Sequence, residues 1–375
     1  MKITYITNAR IPTEKAHGYQ ICKMCEEFSN IGIDVELVVP TRKNDIKKDI
    51  FDYYDLKRNF KIRYVQSPDF LFLDKFFKKI IYLNNLFFLI KSLFLKFQKN
   101  DLIYTRSPEI AWLFSLRRYN VFFEAHNWPG SKTWIYKQML KKVDLLICNS
   151  NGTANYHIKN GLGKAEVCHN GVDLEKFSLN FDRNYCKKKI GFSNNDVLVM
   201  YVGHLYDWKG ADILAKSANF IDEKIKIVFV GGNDSDIFEY KNKYDKKNII
   251  FVGKRKHEEI PFYLKAADIL VLPNVPISKE SVKFTSPIKM FEYMSSGTPI
   301  IASNLPSIKE ILNKDNSILF KPGDEKELSE KIVFCLNNKD VMDEISRKAL
   351  SDVQYYSWFN RAKKIIKKYE SIKKI

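Results

Sequence analysis

The sequence predicts an α/β protein built on two doubly wound parallel sheets. Short apolar runs alternate with segments of helical periodicity along the chain, a pattern typical of parallel strands buried on both faces. The series ends near residue 172 and then begins again, and two successive β-α-β series indicate two sheets. With 375 residues, 45% of them hydrophobic, the chain is long enough for two domains with their own cores.

The predicted elements follow in order. The first group of strands covers residues 3–7, 35–39, 102–104, 121–123 and 145–148, and the second covers 197–202, 227–230, 249–252, 269–272 and 299–302. A first helix is expected over residues 19–31, and a last, lysine-rich helix over 355–374 has no strand partner. We therefore expect domains over 1–170 and 171–354.

The segment 285–299 follows a predicted strand and opens a helix. Ser286 is a favoured N-cap, and Pro287 fits the first helical position, where its missing N–H costs nothing. The N–H groups of Ile288 and Lys289 can then face an anion, which the helix dipole favours. The start of this helix is therefore a candidate phosphate site.

Glu292 lies on the same predicted helix, roughly 9 Å along its axis from the cap at about 1.5 Å per residue. This is about the distance from the β-phosphate of a nucleotide to its ribose, and a carboxylate accepts the two hydrogen bonds of a ribose diol. The alternative is an ordinary capped amphipathic helix on which Glu292 points to water.

The segment Tyr201-Val-Gly-His-Leu-Tyr-Asp-Trp-Lys-Gly210 adds a cation. Lys209 stands at a strand-to-helix turn, where a lysine neutralises a phosphate as a point charge, although most lysines only solvate a surface. Both segments lie at the sheet edge where ligands bind in open α/β proteins. Together they predict a clamp for a diphosphate leaving group.

Gly203-His-Leu-x-x-Trp-Lys-Gly210, with Ser286-Pro-x-Lys-x-Phe-Glu-Tyr-Met-x-x-Gly-x-Pro299, resembles the family-4 retaining glycosyltransferases of the GT-B fold. Residues 10–20, Glu124-Ala-His126, residues 170–173 and residues 358–364 extend the resemblance to nearly the whole chain. It implies two Rossmann-like domains facing a cleft. The N-terminal domain would bind the acceptor, the C-terminal domain would bind the nucleotide sugar, and residues 355–375 would cross back onto the first domain.

The resemblance also implies roles for individual residues. The catalytic candidates are His126, Lys209 and His204. The donor-binding candidates are Gly18, Gly203, Lys209, Ser286, Pro287, Ile288 and Glu292, and the acceptor-binding candidates are His17 and Arg106. Gly18 would let the backbone approach the phosphate or sugar. The alternatives are a strand-end His126 bonded to backbone and an exposed, structural Arg106.

Two positions depart from the family pattern. His204 stands where the family usually has arginine, and Phe284 stands where it usually has a first glutamate. We therefore expect backbone amides near residues 286–288 to hold the donor. No pair of carboxylates stands out as nucleophile and acid, which is compatible with leaving-group assistance as the main catalytic device.

No metal or other cofactor is expected. Asp234 and Asp236 have the spacing of a metal-binding pair but open a helix, where acids favour the dipole. Cys22 and Cys25 fall inside the first predicted helix, and six scattered cysteines indicate reduced thiols. The chain opens on a predicted strand rather than a leader, and no long apolar stretch predicts a membrane span.

The net charge of +18 favours anionic partners and leans toward the N-terminal half. In residues 75–99, lysines interleave with Phe, Leu and Ile, and no acid is present. Such a segment can lie in an anionic membrane interface. It can equally be a domain helix packed on the sheet, or a helix pair broken at Asn84-Asn85.

The prediction is a cytoplasmic retaining glycosyltransferase, attached peripherally to the inner face of a membrane if residues 75–99 touch lipid. It would move a hexose-type sugar from a UDP- or GDP-linked donor to a glycan or lipid-linked acceptor in cell-surface polysaccharide or glycoconjugate synthesis. The rivals are a GT-B nucleotide-sugar epimerase and, more remotely, a basic nucleic-acid-binding protein. The latter would need aromatics interleaved with lysines on an exposed face; no nucleic-acid partner is expected.

Overall fold

The computed structural model describes residues 1–70, 80–129 and 133–373. The chain divides into two compact units. The N-terminal unit comprises Met1–Asn149, Thr153–Cys168 and Trp358–Ile375, and the C-terminal unit comprises Ser150–Gly152 and His169–Ser357. The predicted boundary at residue 170 lies next to the one observed, and the last helix joins the N-terminal unit from residue 358 rather than 355.

The N-terminal unit is built on a parallel sheet of seven strands. They are β1 (Lys2–Ile6), β2 (Asp34–Pro40), β3 (Lys61–Val65), β4 (Leu102–Thr105), β5 (Asn120–Ala125), β6 (Leu145–Cys148) and β7 (Ala165–Val167). Their order in the sheet is β3-β2-β1-β4-β5-β6-β7. The first six helices are α1 (Ala16–Asn30), α2 (Ile50–Tyr54), α3 (Ile80–Leu93), α4 (Pro108–Leu116), α5 (Thr133–Leu140) and α6 (Asn151–Lys159).

The C-terminal unit repeats this plan with six parallel strands. They are β8 (Val197–Val202), β9 (Ile225–Val230), β10 (Ile249–Gly253), β11 (Ile269–Leu272), β12 (Ile300–Ser303) and β13 (Ile318–Phe320), in the order β10-β9-β8-β11-β12-β13. Its helices are α7 (Leu174–Phe177), α8 (Arg183–Lys189), α9 (Ala211–Ser217), α10 (Asp234–Lys243), α11 (Ile260–Ala266), α12 (Ile288–Ser296), α13 (Glu325–Asn337) and α14 (Lys339–Asp352). The prediction of two doubly wound parallel sheets is confirmed.

The chain order of the strands fixes where each sheet can bind a ligand. In the N-terminal sheet the order reverses between β1 and β4, and in the C-terminal sheet it reverses between β8 and β11. The loops that leave such a pair diverge to opposite faces and open a crevice at the carboxyl ends of the strands. The candidate residues on these loops therefore belong to one crevice in each unit.

The strands predicted from apolar runs are all present, and three edge strands were missed. In β6 every residue is buried, as expected for a strand covered on both faces. By contrast β3, the first missed strand, lies at a sheet edge and carries Lys61 and Arg63. Edge strands commonly carry charges that block further pairing, so their sequences lack the apolar run.

Residues 75–79 of the basic segment lie outside the described residues, and the rest of it contains α3. This helix runs unbroken through Asn84 and Asn85, so the prediction of a break there is wrong. Asn84 is buried and its Oδ1 accepts a hydrogen bond from the Phe70 N–H at 3.0 Å. The asparagine pair therefore serves packing rather than a turn.

The opposite side of α3 leaves large apolar side chains exposed. These are Tyr82, Leu83, Leu86, Ile90 and Leu93, and Phe94 follows at 75% exposure. In the part of the chain that the structure describes, no helix combines the length and apolarity that crossing a membrane requires. The apolar content of the helix thus exceeds what its packing face buries.

The last helix, α15 (Trp358–Lys373), returns the chain to the N-terminal unit. The side chain of Trp358 is 1% exposed and packs edge-on against Tyr19 of α1, with ring centroids 6.3 Å apart. Lys364 donates a hydrogen bond to the Val167 carbonyl at 2.7 Å. The C-terminus is thereby part of the first fold.

Candidate active site

The carboxylate of Glu124, at the end of β5, is the centre of the N-terminal site. Its side chain is fully buried and accepts hydrogen bonds from four side chains. Tyr104 Oη donates to Oε2 at 2.6 Å, while Oε1 accepts from Arg106 at 2.6 Å, from His126 at 2.6 Å and from Arg361 at 2.9 Å. One carboxylate therefore joins β4, β5 and α15.

Charge determines the protonation states in this network. Burial alone would raise the pKa of Glu124, but the positive charges of Arg106 and Arg361 hold it well below its usual value. The pKa of His126 is lowered to about 4, first by burial and then by Arg106, so the imidazole is neutral near pH 7. An ionised carboxylate only accepts, so the proton sits on Nε2. The other ring nitrogen, Nδ1, is then a hydrogen-bond acceptor.

This geometry excludes the alternative in which His126 is bonded to backbone, while its role at the donor sugar remains a prediction. The histidine is bonded to a carboxylate rather than to backbone, and its side chain remains 24% exposed. It borders a cavity of about 430 Å³ that is also lined by His17, Gln20, Arg106 and Tyr136. Ligand pockets typically have this volume, with a few fixed polar groups.

Arg106 lines the same cavity but is not the exposed arginine of the alternative interpretation. Its side chain is 13% exposed and donates to Gln20 Oε1 at 2.9 Å as well as to Glu124. Two guanidinium groups share the single carboxylate of Glu124, so the network keeps one positive charge beside the cavity. An anionic group in the cavity would be attracted to it.

His17 also faces this cavity, from the first turn of α1. Its pKa is lowered to about 4 by burial, by Arg106 and by Lys15, so it is a neutral hydrogen-bonding group. Burial and the charge of Arg106 thus leave two uncharged imidazoles beside a cation.

Packing within the N-terminal unit is enough to explain why position 18 is a glycine. A Cβ at this position would lie 2.1 Å from Tyr54 Oη and 2.6 Å from Thr13 Cγ2. Packing of α1 against Tyr54 therefore already requires glycine here, while an approach of its backbone to a phosphate or sugar remains a prediction. The same hydroxyl accepts the Thr13 N–H at 2.7 Å and fixes the loop before α1.

In the C-terminal unit the two motif segments meet at the end of β8. The Tyr293 hydroxyl of α12 accepts the Val202 N–H at 2.8 Å and donates to the Val202 carbonyl at 3.3 Å. Beyond Val202, Gly203 has φ +147°, a conformation that favours glycine. A Cβ on Gly203 would lie 3.2 Å from Lys289 Nζ. The glycine thus leaves space between the strand end and α12.

Lys209 ends a short 3-10 turn, Asp207–Lys209, and Gly210 follows in the left-handed conformation. A Cβ on Gly210 would lie 1.9 Å from the Pro273 carbonyl, so the turn needs glycine. Burial lowers the pKa of Lys209 to about 8, and the negative charge of Glu292 opposes that shift. The lysine is therefore mostly protonated at pH 7, and the charge of the Glu292 carboxylate favours that state.

Glu292 does not point to water. Its side chain is 12% exposed, and Oε1 lies 3.6 Å from His257 Nε2. The His257 ring in turn packs edge-on against Phe177, with centroids 5.4 Å apart. The alternative of a solvated surface glutamate is wrong, while a role at the ribose remains a prediction.

The start of α12 differs from the prediction by one residue. The helix begins at Ile288 and Pro287 takes the cap position in an extended conformation, so Ser286 is not the N-cap. Ser286 instead holds Asn170: its carbonyl accepts from Asn170 Nδ2 at 2.6 Å and its hydroxyl from the Asn170 N–H at 3.4 Å. The N–H groups of Ile288 and Lys289 still belong to the first helical turn, which lacks intrahelical acceptors.

His204 is exposed on the loop after β8, and its ring stacks on Tyr206 with centroids 5.1 Å apart. Its carbonyl accepts the Tyr201 hydroxyl at 2.6 Å. The backbone of His204 is therefore fixed by the core, whereas its imidazole lies on the surface.

Asp236 stabilises the start of α10. Asn233 caps α10, and the Asp236 carboxylate accepts the Asn233 N–H in a capping box, as the helix-start interpretation requires. Cys22 and Cys25 are free, buried thiols within α1, and burial raises the pKa of both.

Sequence reasoning missed two residues of these sites, Lys289 and Arg361. Lys289 stood inside the motif but was noted only for its backbone N–H, and nothing in the α15 sequence links Arg361 to Glu124, which lies 237 positions away. The alternation of apolar and basic residues in α15 could have indicated a buried face. It could not have indicated which basic side chain reaches a carboxylate.

Each unit matches a different protein-family model. Residues 18–176 match the model described as "Glycosyltransferase Family 4", and residues 196–338 match "Glycosyl transferases group 1". Among solved structures, Anabaena HepE in complex with UDP and glucose has a TM-score of 0.73 at 17% identity, covering 99% of this chain and 100% of that one. Sucrose-phosphate synthase from Thermosynechococcus elongatus has a TM-score of 0.74 at 17% identity, covering 99% of both chains. These similarities establish the fold.

Two curated relatives are similar over part of their length. An Escherichia coli protein named UDP-Gal:alpha-D-GlcNAc-diphosphoundecaprenol alpha-1,3-galactosyltransferase is 32% identical over 185 residues, 46% of either chain. D-inositol 3-phosphate glycosyltransferase from Corynebacterium urealyticum is 22% identical over 267 residues, 66% of this chain and 61% of that protein. The matches thus span about half to under two thirds of these relatives.

The Glu124 network generates a stability prediction. Replacing Glu124 with Gln leaves the guanidinium groups of Arg106 and Arg361 buried without a countercharge, which should cost about 3–5 kcal/mol of unfolding free energy. Chemical denaturation of the full chain measures this. The matched control is Glu166→Gln, which removes the more exposed ion pairs with Lys364 and Lys368 and should cost under about 1 kcal/mol. Equal stability of the two variants would show that Glu124 is not the structural centre.

Proposed function

Because the chain belongs to the group 1 glycosyltransferases of the GT-B fold, we propose that it transfers a hexose-type sugar from a nucleotide-diphosphate sugar to a glycan or lipid-linked acceptor. The setting would be cell-surface polysaccharide or glycoconjugate synthesis, and the anomeric configuration would be retained. The C-terminal unit would bind the donor and the N-terminal unit the acceptor.

The observation that carries the proposal is the arrangement of Lys209 and Glu292 beside the end of β8. The lysine is close enough to the carboxylate for that charge to affect its pKa, yet burial lowers the pKa to about 8. Lys209 lies within 5.4 Å of the ring centroids of Tyr206 and Trp208, so apolar rings border its ammonium group. A partly desolvated cation binds an anion more strongly than one in water.

The proposed chemistry needs charge stabilisation at the leaving group. As the bond between sugar and diphosphate breaks, negative charge grows on the phosphate oxygen, and Lys209 and the first N–H groups of α12 would stabilise it. Glu292 would accept hydrogen bonds from the ribose hydroxyls. His204, exposed on the same loop, would add a hydrogen bond or, when protonated, a charge.

The N-terminal residues would hold neutral and anionic groups of the substrates. His126 keeps Nδ1 as an acceptor, so a sugar hydroxyl can donate to it while Glu124 fixes the ring. The positive charge at Arg106 and the neutral His17 border the same cavity and would bind an acceptor that carries an anionic group. No divalent ion has a part in the proposal.

The names of relatives support a lipid-linked acceptor. The Escherichia coli relative is named for transfer from UDP-Gal to a sugar on diphosphoundecaprenol, and the Anabaena neighbour was solved with UDP and with UDP-glucose. A UDP-linked donor is thus the first to test, and a GDP-linked donor the second. The apolar side chains exposed on α3 would let the enzyme rest on the membrane that holds such an acceptor.

The activity itself is the first prediction. Thermal-shift screening with UDP, GDP and ADP identifies the nucleotide. Incubation of the matching sugar donors with a polyprenyl-diphosphate sugar should then give product only when the acceptor is present, and equally well with EDTA. Release of nucleotide and free sugar from the donor alone, with no dependence on acceptor, would instead identify an epimerase.

Lys209→Ala tests the leaving-group role. Loss of a charge-assisted contact should cost about 1.5–3 kcal/mol of transition-state stabilisation, a fall of roughly 10- to 150-fold in kcat/KM. The melting temperature should not change, because the residue ends a surface turn. Lys241→Ala, on the exposed side of α10, is the control. Wild-type kcat/KM in the Lys209 variant would remove this residue from the mechanism.

Glu292→Gln tests the ribose contact. The change keeps the side-chain shape but replaces an acceptor oxygen with a donor, so it should weaken binding of the free nucleoside diphosphate and of the sugar donor alike. Calorimetric titration of both ligands measures this, with the exposed neighbour Glu258→Gln as control. If the affinity for the nucleotide is unchanged, Glu292 has no part in donor binding.

The membrane proposal predicts that the protein co-sediments with phosphatidylserine-containing vesicles, less so at high salt. Each lysine near an anionic surface contributes about 1 kcal/mol. Replacing Leu86 and Leu93 of α3 with Ser should reduce sedimentation without altering nucleotide affinity. Val333→Ser with Phe334→Ser, an exposed apolar pair on α13, is the control. If the wild type fails to sediment at low salt, the enzyme is not held by α3.

A further inference from the structure

Lys289 is a buried lysine whose amine lacks a hydrogen-bond partner. Its Nζ is shielded from solvent, and no acceptor among the residues that the structure describes lies within hydrogen-bonding distance of it. The Tyr201 ring borders the amine, with its centroid 4.0 Å away, and a Cβ built on Gly203 would lie 3.2 Å from it. Neither the fold nor the roles assigned above use this amine.

The charged groups around Lys289 come from three segments. Lys209 lies on the loop after β8, Glu292 is one turn further along α12, and both affect the pKa of Lys289. His257 contacts Glu292 from the turn before α11, and His204 is exposed on the loop after β8. With both lysines protonated, the two ammonium groups outnumber the single carboxylate.

Keeping an unpaired ammonium group in this position is costly. Burial, and then the charge of Lys209, lower the pKa of Lys289 well below its usual value, while Glu292 opposes the shift only in part. A methionine would fill nearly the same volume without an unsatisfied donor. The lysine is therefore worse for the stability of the free protein than an apolar residue would be.

The same features suit a site that an anion completes. Because Gly203 has no side chain, no Cβ lies between Lys289 Nζ and the strand end that Lys209 also follows. Phosphate oxygens would give the amine its missing acceptors. They would also offset the repulsion between the two lysines.

We propose that Lys289 binds the diphosphate of the donor together with Lys209, and that its amine takes up one proton from solvent when the diphosphate binds. The inference rests on the proposed function and adds a second cation to it. It also explains how a loop with an exposed histidine at position 204 can bind a diphosphate: the second charge comes from α12 instead.

The number of protons taken up when the nucleotide binds can be measured. With a pKa of about 8, Lys209 already carries its proton at pH 7 in roughly nine molecules of ten, since one pH unit corresponds to a tenfold ratio. It can therefore take up little more on binding. Lys289, whose amine is buried without an acceptor in the free protein, would take up a proton when phosphate oxygens supply acceptors, so most of the difference in uptake between wild type and a Lys289 variant belongs to this residue.

The experiment compares wild type, Lys289→Met and Lys289→Leu by titration calorimetry at pH 7. UDP, GDP and ADP are titrated into the wild type, and the tightest is used for all three proteins, in two buffers of different ionisation enthalpy. The variants should bind about 10- to 100-fold more weakly and take up about one proton fewer per nucleotide. Their melting temperatures should equal or exceed that of the wild type, because an unsatisfied donor is lost. The use of two apolar replacements guards against one that packs badly.

Each result decides a different point. Unchanged affinity and proton uptake in a folded variant overturn the role of Lys289 and leave the proposed function standing. Weaker binding with a lower melting temperature and unchanged proton uptake identifies a packing role and also overturns it. If the wild type binds none of the three nucleotides, the proposed function fails first and this inference fails with it.

Discussion

The buried carboxylate of Glu124 determines how the N-terminal unit is assembled at its carboxyl edge. Arg106 follows β4, His126 follows β5 and Arg361 comes from the last helix, and all three donate to the same oxygen. Without that oxygen, two guanidinium groups would lie buried without a countercharge, which would strongly destabilise the folded state. The position of α15, the tautomer of His126 and the residual positive charge beside the cavity therefore depend on one side chain.

The charged groups of the C-terminal unit are arranged differently. Lys209 and Lys289 are both desolvated, and Glu292 can compensate only one of them. In the first unit, two guanidinium groups share one carboxylate, which holds an imidazole and a guanidinium in place and leaves one positive charge beside the cavity. In the second, we propose that a ligand supplies the acceptor that the Lys289 amine lacks, so that the site gains affinity for an anion at the expense of its own stability. The two units thus share a fold but differ in what their strand ends can bind.

The sequence allowed prediction of what depends on local pattern. The buried strands follow from apolar runs, and the turn at Lys209 follows from a glycine at a strand-to-helix junction. The edge strands β3, β7 and β13 could not be predicted in this way, because an edge strand is short or carries charges and so lacks the run. The contacts of Lys289 and Arg361 could not be predicted from the sequence either. The reach of a long basic side chain depends on tertiary neighbours, and the same residues on a solvated helix face would give the same sequence.

Gly18 and Gly203 show why a glycine in a motif must be interpreted from its surroundings. Gly203 directly follows β8 and Gly18 lies in the first turn of α1, and both belong to segments that resemble ligand-binding loops. At Gly18 the absent side chain is replaced by Tyr54 Oη of the same unit, so the contact is complete without a ligand. At Gly203 the nearest side-chain atom is the unpartnered amine of Lys289, and the backbone adopts a positive φ that other residues avoid. A positive φ and a neighbouring unsatisfied donor occur together at Gly203 and not at Gly18. Since an ordinary substitution would remove either feature, their coincidence at one strand end supports the proposal that this position binds a ligand rather than stabilises the fold.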